Sequence, residues 1–64
     1  MKLWIARDKN GFIGLYKQKP TWVRVNRFRE DWDGDYMGLL DKYSFPEVTF
    51  ENSPQEVELK LLNI

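Results

Sequence analysis

Lys2-Leu3-Trp4-Ile5-Ala6-Arg7, then Asp8-Lys9-Asn10-Gly11, then Phe12-Ile13-Gly14-Leu15-Tyr16: these three stretches decide the fold class. The first and third are apolar and β-prone. The second carries Asn and Gly, which tolerate the positive φ angles of tight turns. Together they predict a β-hairpin. Side chains alternate along a strand, so Leu3 and Ile5 share one face while Trp4 and Ala6 share the other. Both faces are apolar. The hairpin is therefore expected at the centre of its sheet, or in a curled, barrel-like one.

Beyond the hairpin, Lys17-Gln18-Lys19-Pro20 ends the second strand, because proline has no amide to donate and turns its predecessor away from helix. Residues 21–28 read as a third strand, rich at its start in β-branched and aromatic side chains, with Val23 and Val25 inward and Trp22, Arg24 and Asn26 outward. Residues 29–35 read as a polar loop turning at Asp33-Gly34. Residues 36–40 read as a fourth strand weakened by Gly38, and as a candidate sheet edge. Ser44-Phe45-Pro46-Glu47 has the spacing of a capping box and predicts one short helical turn, followed by an extended Val48-Thr49-Phe50. A turn at 51–54 leads to a last strand in which Val57, Leu59 and Leu61 alternate with Glu58 and Lys60.

The prediction is a single all-β domain over residues 1–64: a small antiparallel sheet of four to five strands, curled, with one short helical turn. The alternative is α+β, with residues 36–44 helical. The expected core is Leu3, Ile5, Ile13, Leu15, Val23, Val25, Val57, Leu59 and Leu61. A chain of this length buries only about 60% of the surface its unfolded form exposes. Ten aromatic residues are more than such a core can hide, so the remainder must serve as surface or as a groove.

Three segments carry a resemblance. Leu3-Trp4-Ile5-Ala6-Arg7-Asp8-Lys9-Asn10-Gly11, the pair Lys19-Pro20, and Phe45-Pro46-Glu47-Val48-Thr49-Phe50-Glu51 with Pro54 and Glu56-Val57-Glu58-Leu59 resemble a group of short uncharacterised proteins of bacteria and their phages. The likeness spans both ends and leaves residues 21–44 unmatched. It implies no activity. A phage setting implies a small protein that binds a protein of the host.

The net charge of zero conceals two unlike halves. Residues 1–29 hold eight Lys and Arg against Asp8 alone, and residues 30–64 hold nine Asp and Glu against Lys42 and Lys60. Such asymmetry points either to an interaction surface or to pairing of the halves within the fold. The two halves are expected to lie against each other at least in part.

The same residues bear on function class. With no His and no Cys, the chain lacks the usual general base, the thiolate nucleophile and the usual zinc ligands. Ser44, Ser53, Thr21 and Thr49 have no base beside them in sequence. Asp31, Asp33 and Asp35 are spaced like the start of a calcium loop, but Tyr36 stands where that loop needs glycine and Lys42 where it needs glutamate. No enzyme activity, cofactor or metal is expected. No apolar run reaches the ~18 residues of a membrane helix. The charges at Lys2 and Arg7 fall too early for a secretory leader. A cysteine-free chain suits a reducing compartment, so a cytoplasmic location is expected.

What remains is binding. Lys17, Lys19, Arg24, Arg27 and Arg29 interleave with Trp22 and Phe28. Trp and Arg are the types most often found as hot spots of protein interfaces, and Trp22, Arg24, Arg27 and Phe28 are the expected partner-binding residues. Trp22 beside Arg has a structural alternative, an internal cation–π contact. Single-stranded nucleic acid, held by the basic aromatic stretch 17–29, is the alternative partner. The pI of 6.2 weighs against it, since nucleic-acid-binding domains commonly lie above about 9. A homodimer through the strand at 36–40 would also hide surplus aromatic surface.

Overall fold

The computed structural model describes residues 1–58. Six strands follow in chain order: β1 (Lys2–Arg7), β2 (Ile13–Tyr16), β3 (Thr21–Asn26), β4 (Arg29–Asp33), β5 (Tyr36–Leu40) and β6 (Gln55–Glu58). They make two antiparallel sheets, one of four strands in the order β5-β2-β1-β6 and one of two, β3-β4. The fold is all-β. Neither sheet closes on itself, and no helix forms among the described residues.

The opening hairpin is central to the larger sheet. Its turn is held by the Gly11 amide donating to the Asp8 carbonyl at 3.0 Å and the Asp8 amide donating to the Phe12 carbonyl at 2.7 Å. Gly11 has φ +94°, a conformation that suits glycine and strains other residues. β6 joins the far side of β1, setting Leu3 opposite Val57, and β5 joins β2, setting Ile13 opposite Leu40. β5 is thus an edge, as expected. The ladder between β2 and β5 continues where the Lys17 amide donates to the Asp35 carbonyl at 2.9 Å. The β3-β4 hairpin is therefore an insertion carried on the β2/β5 stem.

One face of the four-stranded sheet is aliphatic. Ile5, Ile13 and Val48 are fully buried together, with Leu15, Leu40 and Val57 packed around them. Val48 comes from the irregular segment 41–54, which covers this face. Arg7, opposite Ile13 in the register, fastens that segment. Its guanidinium donates from Nε to the Val48 carbonyl (2.5 Å), from Nη1 to Gly11 (2.6 Å) and Lys42 (3.0 Å), and from Nη2 to Ser44 (2.9 Å) and Phe45 (3.1 Å). A guanidinium has five N–H donors, and here five carbonyls accept. Such a cover, with no strand ladder of its own, needs outside donors for its carbonyls.

Three expectations are corrected. Residues 29–33 form β4 instead of a loop, and the hairpin turns at Arg27-Phe28. Charge concealed this strand: Arg-Glu-Asp-Trp-Asp has no β-branched residue, and its pairing with β3 (Trp22 opposite Trp32, Arg24 opposite Glu30) supplies what propensity does not. Val25 is not core but 55% exposed. The register shifts between Arg24 and Asn26, so Val25 is an extra residue in a bulge, which breaks the alternation of faces. Val23 is half-buried. Finally, the capping box at Ser44 makes no helical turn. Phe45, which would be the first helical residue, has φ +54°, in the left-handed region, and only a single turn closes, with the Val48 amide donating to the Phe45 carbonyl at 2.9 Å. Val48-Thr49-Phe50 belongs to no strand. Leu59 and Leu61 lie outside the described residues.

Candidate functional site

The β3-β4 hairpin is held against the sheet by rings. Trp22 and Trp32, opposite one another on the two strands, meet edge-to-face at 5.2 Å between centroids. Phe50, from the segment covering the aliphatic face, packs on Trp22 at 4.8 Å. The Trp32 indole N–H donates to the Arg7 carbonyl at 3.0 Å and the Trp22 indole N–H to the Glu30 carboxylate at 2.8 Å. Lys9 closes the group, with its Nζ 5.5 Å from the Trp22 ring centre, 5.4 Å from that of Phe50 and 3.8 Å from Glu30. Edge-to-face pairs contribute about 0.5–1.5 kcal/mol beyond their burial. At the base of the hairpin Pro20 is fully buried. Gly34 permits the close approach there: a Cβ at Gly34 would lie 3.1 Å from Pro20 and 3.2 Å from the Tyr16 ring.

The four expected partner-binding residues separate into two groups. Trp22 is half-buried, with both its ring and its N–H engaged inside the molecule. Arg24, Arg27 and Phe28 are exposed around the hairpin tip. Phe28 is the most exposed large apolar side chain among the described residues, at 89%. Its position is defined nonetheless: the Phe28 amide donates to the Asn26 side chain at 2.8 Å, and the Arg27 guanidinium lies 5.7 Å from the Phe28 ring centre. Neither Arg24 nor Arg27 enters an ion pair among the described residues, whereas Arg29 is paired with Asp31 at 2.8 Å.

A cleft of about 370 Å³ opens between β4 and the aromatic face of the sheet. Phe12, Tyr16, Tyr36 and Trp32 supply rings, and Asp8 and Asp31 supply carboxylates. The Tyr16 and Tyr36 rings meet edge-to-face at 5.6 Å. Tyr16 lies down over Gly14, whose missing Cβ would fall 3.1 Å from the ring. The Tyr16 phenol is held above its ordinary pKa, first by burial, then by the charge of Asp31, by Tyr36 and by Asp8. The sequence reading missed this cleft. Its two carboxylates belong to different hairpins, and Phe12 and Tyr16 read simply as members of an apolar run. The one visible signal was that the first hairpin is apolar on both faces.

Among the described residues three ion pairs near the surface join the basic half to the acidic half: Lys2 with Glu56 at 3.7 Å, Lys9 with Glu30 at 3.8 Å, and Arg29 with Asp31. The halves do meet, in part. Asp31 and Asp33 stand on β4, and Asp31 receives the Arg29 guanidinium and the Trp32 amide. Among the described residues no group of three or more acidic side chains is placed to hold a metal ion, and no helix is long and apolar enough to cross a membrane. Comparison with family models, with curated proteins and with solved structures finds no match for the chain.

Proposed function

We propose that this protein is a small non-enzymatic binding module of the cytoplasm that presents the β3-β4 hairpin tip to a protein partner, as an inhibitor or adaptor does. The observation that carries the reading is Phe28, 89% exposed at the tip and flanked by Arg24 and Arg27, neither of which enters an ion pair among the described residues. Among the described residues the Phe28 ring belongs neither to the aliphatic cluster nor to the Trp22, Trp32 and Phe50 group. Fixed on a hairpin anchored by Trp22, Trp32 and Phe50, it loses little freedom on binding, which favours affinity. Flanking arginines suit an apolar pocket with an acidic rim, and charges of that kind chiefly raise the association rate and set specificity. Trp22 then acts as anchor, not as contact.

Immobilised protein should capture the same partner from a bacterial lysate with or without nuclease treatment. Phe28→Ala should abolish capture while leaving the melting temperature within a degree or two, because an exposed side chain contributes little to stability. Capture that disappears with nuclease would overturn the reading. So would tight binding to a single-stranded oligonucleotide that weakens by orders of magnitude between ~50 and ~200 mM salt.

A further inference from the structure

The cleft between β4 and the sheet adjoins the hairpin tip through Arg29 and has a chemistry of its own. We propose that it is a recognition site for a basic side chain, lysine or arginine, presented by a protein partner. Four rings, those of Phe12, Tyr16, Tyr36 and Trp32, border a cavity of about 370 Å³, within the lower range of ligand sites at roughly 300–1,000 Å³. The faces of aromatic rings carry negative potential and attract cations. Asp8 and Asp31 add formal charge. Asp8 has no ion pair among the described residues. Arg29 is the one cation of the lining; it is bound to Asp31 through a single oxygen, and its side chain is 66% exposed. Its charge is matched by Asp31, which leaves Asp8 as the carboxylate open to a guest. The Tyr16 phenol in the lining is held above its ordinary pKa, first by burial and then by the charge of Asp31, by Tyr36 and by Asp8, consistent with the same polarity. Phe12, Tyr36 and Leu39, each about half exposed or more, form the rim, and a guest with an alkyl stem would cover them. Neutral apolar guests would gain only from the rim and the walls. Anions would meet the carboxylates.

The test uses the whole protein and capped amino acids. The indole N–H resonance of Trp32, assigned with Trp32→Phe, is followed by NMR during titration with N-acetyl-lysine methylamide, with its arginine counterpart, and with N-acetyl-norleucine methylamide as the neutral control. Saturable shifts are expected for the two cations in the millimolar range, with norleucine weaker by about tenfold or more. Asp8→Asn and Asp31→Asn keep the oxygens that accept the Lys9 and Trp32 amides. Each should weaken lysine binding several-fold while leaving the norleucine response unchanged. Equal affinity for norleucine would overturn the proposal, showing a merely apolar cleft. Absence of saturation with either cation would overturn it too. Tetramethylammonium binding more tightly than the lysine derivative would overturn the assignment to a side chain in favour of a small organic cation.

Discussion

On one face of the four-stranded sheet, Ile5, Ile13 and Val48 are sealed beneath a segment fastened by Arg7; on the other, Tyr16 and Trp32 border an open cleft beneath a hairpin held by rings. The two covers differ in kind. The first is irregular chain whose carbonyls are tied to a strand residue. The second is a self-contained β-ladder that touches the sheet through a few large side chains. Branched aliphatic groups interdigitate to crystal-like density. Planar rings carrying N–H and O–H groups must keep their polar atoms bonded, and they leave gaps where they meet edge-on. The buried aliphatic cluster lies on the first side, and a cleft bordered by four rings opens on the second.

That contrast is most open to attack at Ile13, which is fully buried. Ile13→Ala should cost about 2–5 kcal/mol. This approaches the whole stability expected of so small a core, about 3–5 kcal/mol, so the variant should be partly unfolded at room temperature in a urea titration. Phe12→Ala, on the rim of the cleft, should cost less than about 1 kcal/mol. Similar losses at the two positions would erase the distinction between the faces.

Arg7 comes next. Lysine keeps the charge but has three donors on a single nitrogen, and it cannot reach five carbonyls spread over Gly11, Lys42, Ser44, Phe45 and Val48. Arg7→Lys should destabilise by about 1–3 kcal/mol, the penalty for leaving partly buried carbonyls unbonded. It should also speed amide exchange at Val48 more than at Trp32. Uniform acceleration at both sites would show that the clamp serves the whole molecule and not one cover.

Arg7 also shows where sequence reading stops. Strands read at 2–7, 12–16, 21–28, 36–40 and from Val57 onward overlap β1, β2, β3, β5 and β6, because short-range alternation and turn residues mark them. β5, read as a candidate edge from its apolar, weakly guarded run, does lie at an edge. β4 was not legible, because its pairing energy sits in partners on β3 and not in its own residues. The outward assignment of Trp22 rested on treating residues 21–26 as an unbroken alternation facing one core. The bulge at Val25 and a second aromatic core undo that premise. Contacts such as Arg7 to Val48, or Asp8 beside Asp31 in one cleft, join residues far apart in the chain and leave no local trace. Strand alternation turns Arg24 outward, and Arg27 and Phe28 stand out by residue type, but reading residues 21–28 as one strand hides the turn that exposes them.

The aromatic side can be probed selectively by pH. The folded state holds the Tyr16 phenol above 10.0, its value in the unfolded chain, with burial as the leading cause. As the pH passes about 10, the unfolded chain therefore gives up this proton first, and unfolding gains. The contribution is fully present below pH 10 and is lost as the pH rises through the folded-state pKa. Wild-type stability from urea unfolding should fall above pH 10, and Tyr16→Phe should fall less steeply. Equal slopes would mean that the phenol is as well solvated as in the open chain, and that the cleft floor is wet.

The smallest effect belongs to the residue that joins the two covers. Lys9 touches Trp22 on the hairpin and Phe50 on the segment over the aliphatic face, and it pairs with Glu30. All of this is near the surface, where ion pairs contribute about 0–1 kcal/mol and exposed cation–π contacts about 0.5–1 kcal/mol. Lys9→Met keeps most of the alkyl stem over the rings and removes the charge, so its cost should stay below about 1 kcal/mol. The informative measurement is salt dependence. Among the described residues three ion pairs near the surface connect the basic and acidic halves, and salt screens such pairs. The wild-type melting temperature should drop slightly between low and moderate salt, and Lys9→Met should drop by less, since one of the three pairs is gone. If the variant is as salt-sensitive as the wild type, Lys9 couples the two sides by packing alone, and the charge split of the chain has no part in holding the hairpin down. If it is less sensitive, the opposed halves help set the hairpin against the sheet, and the width of the cleft beneath it becomes a function of ionic strength.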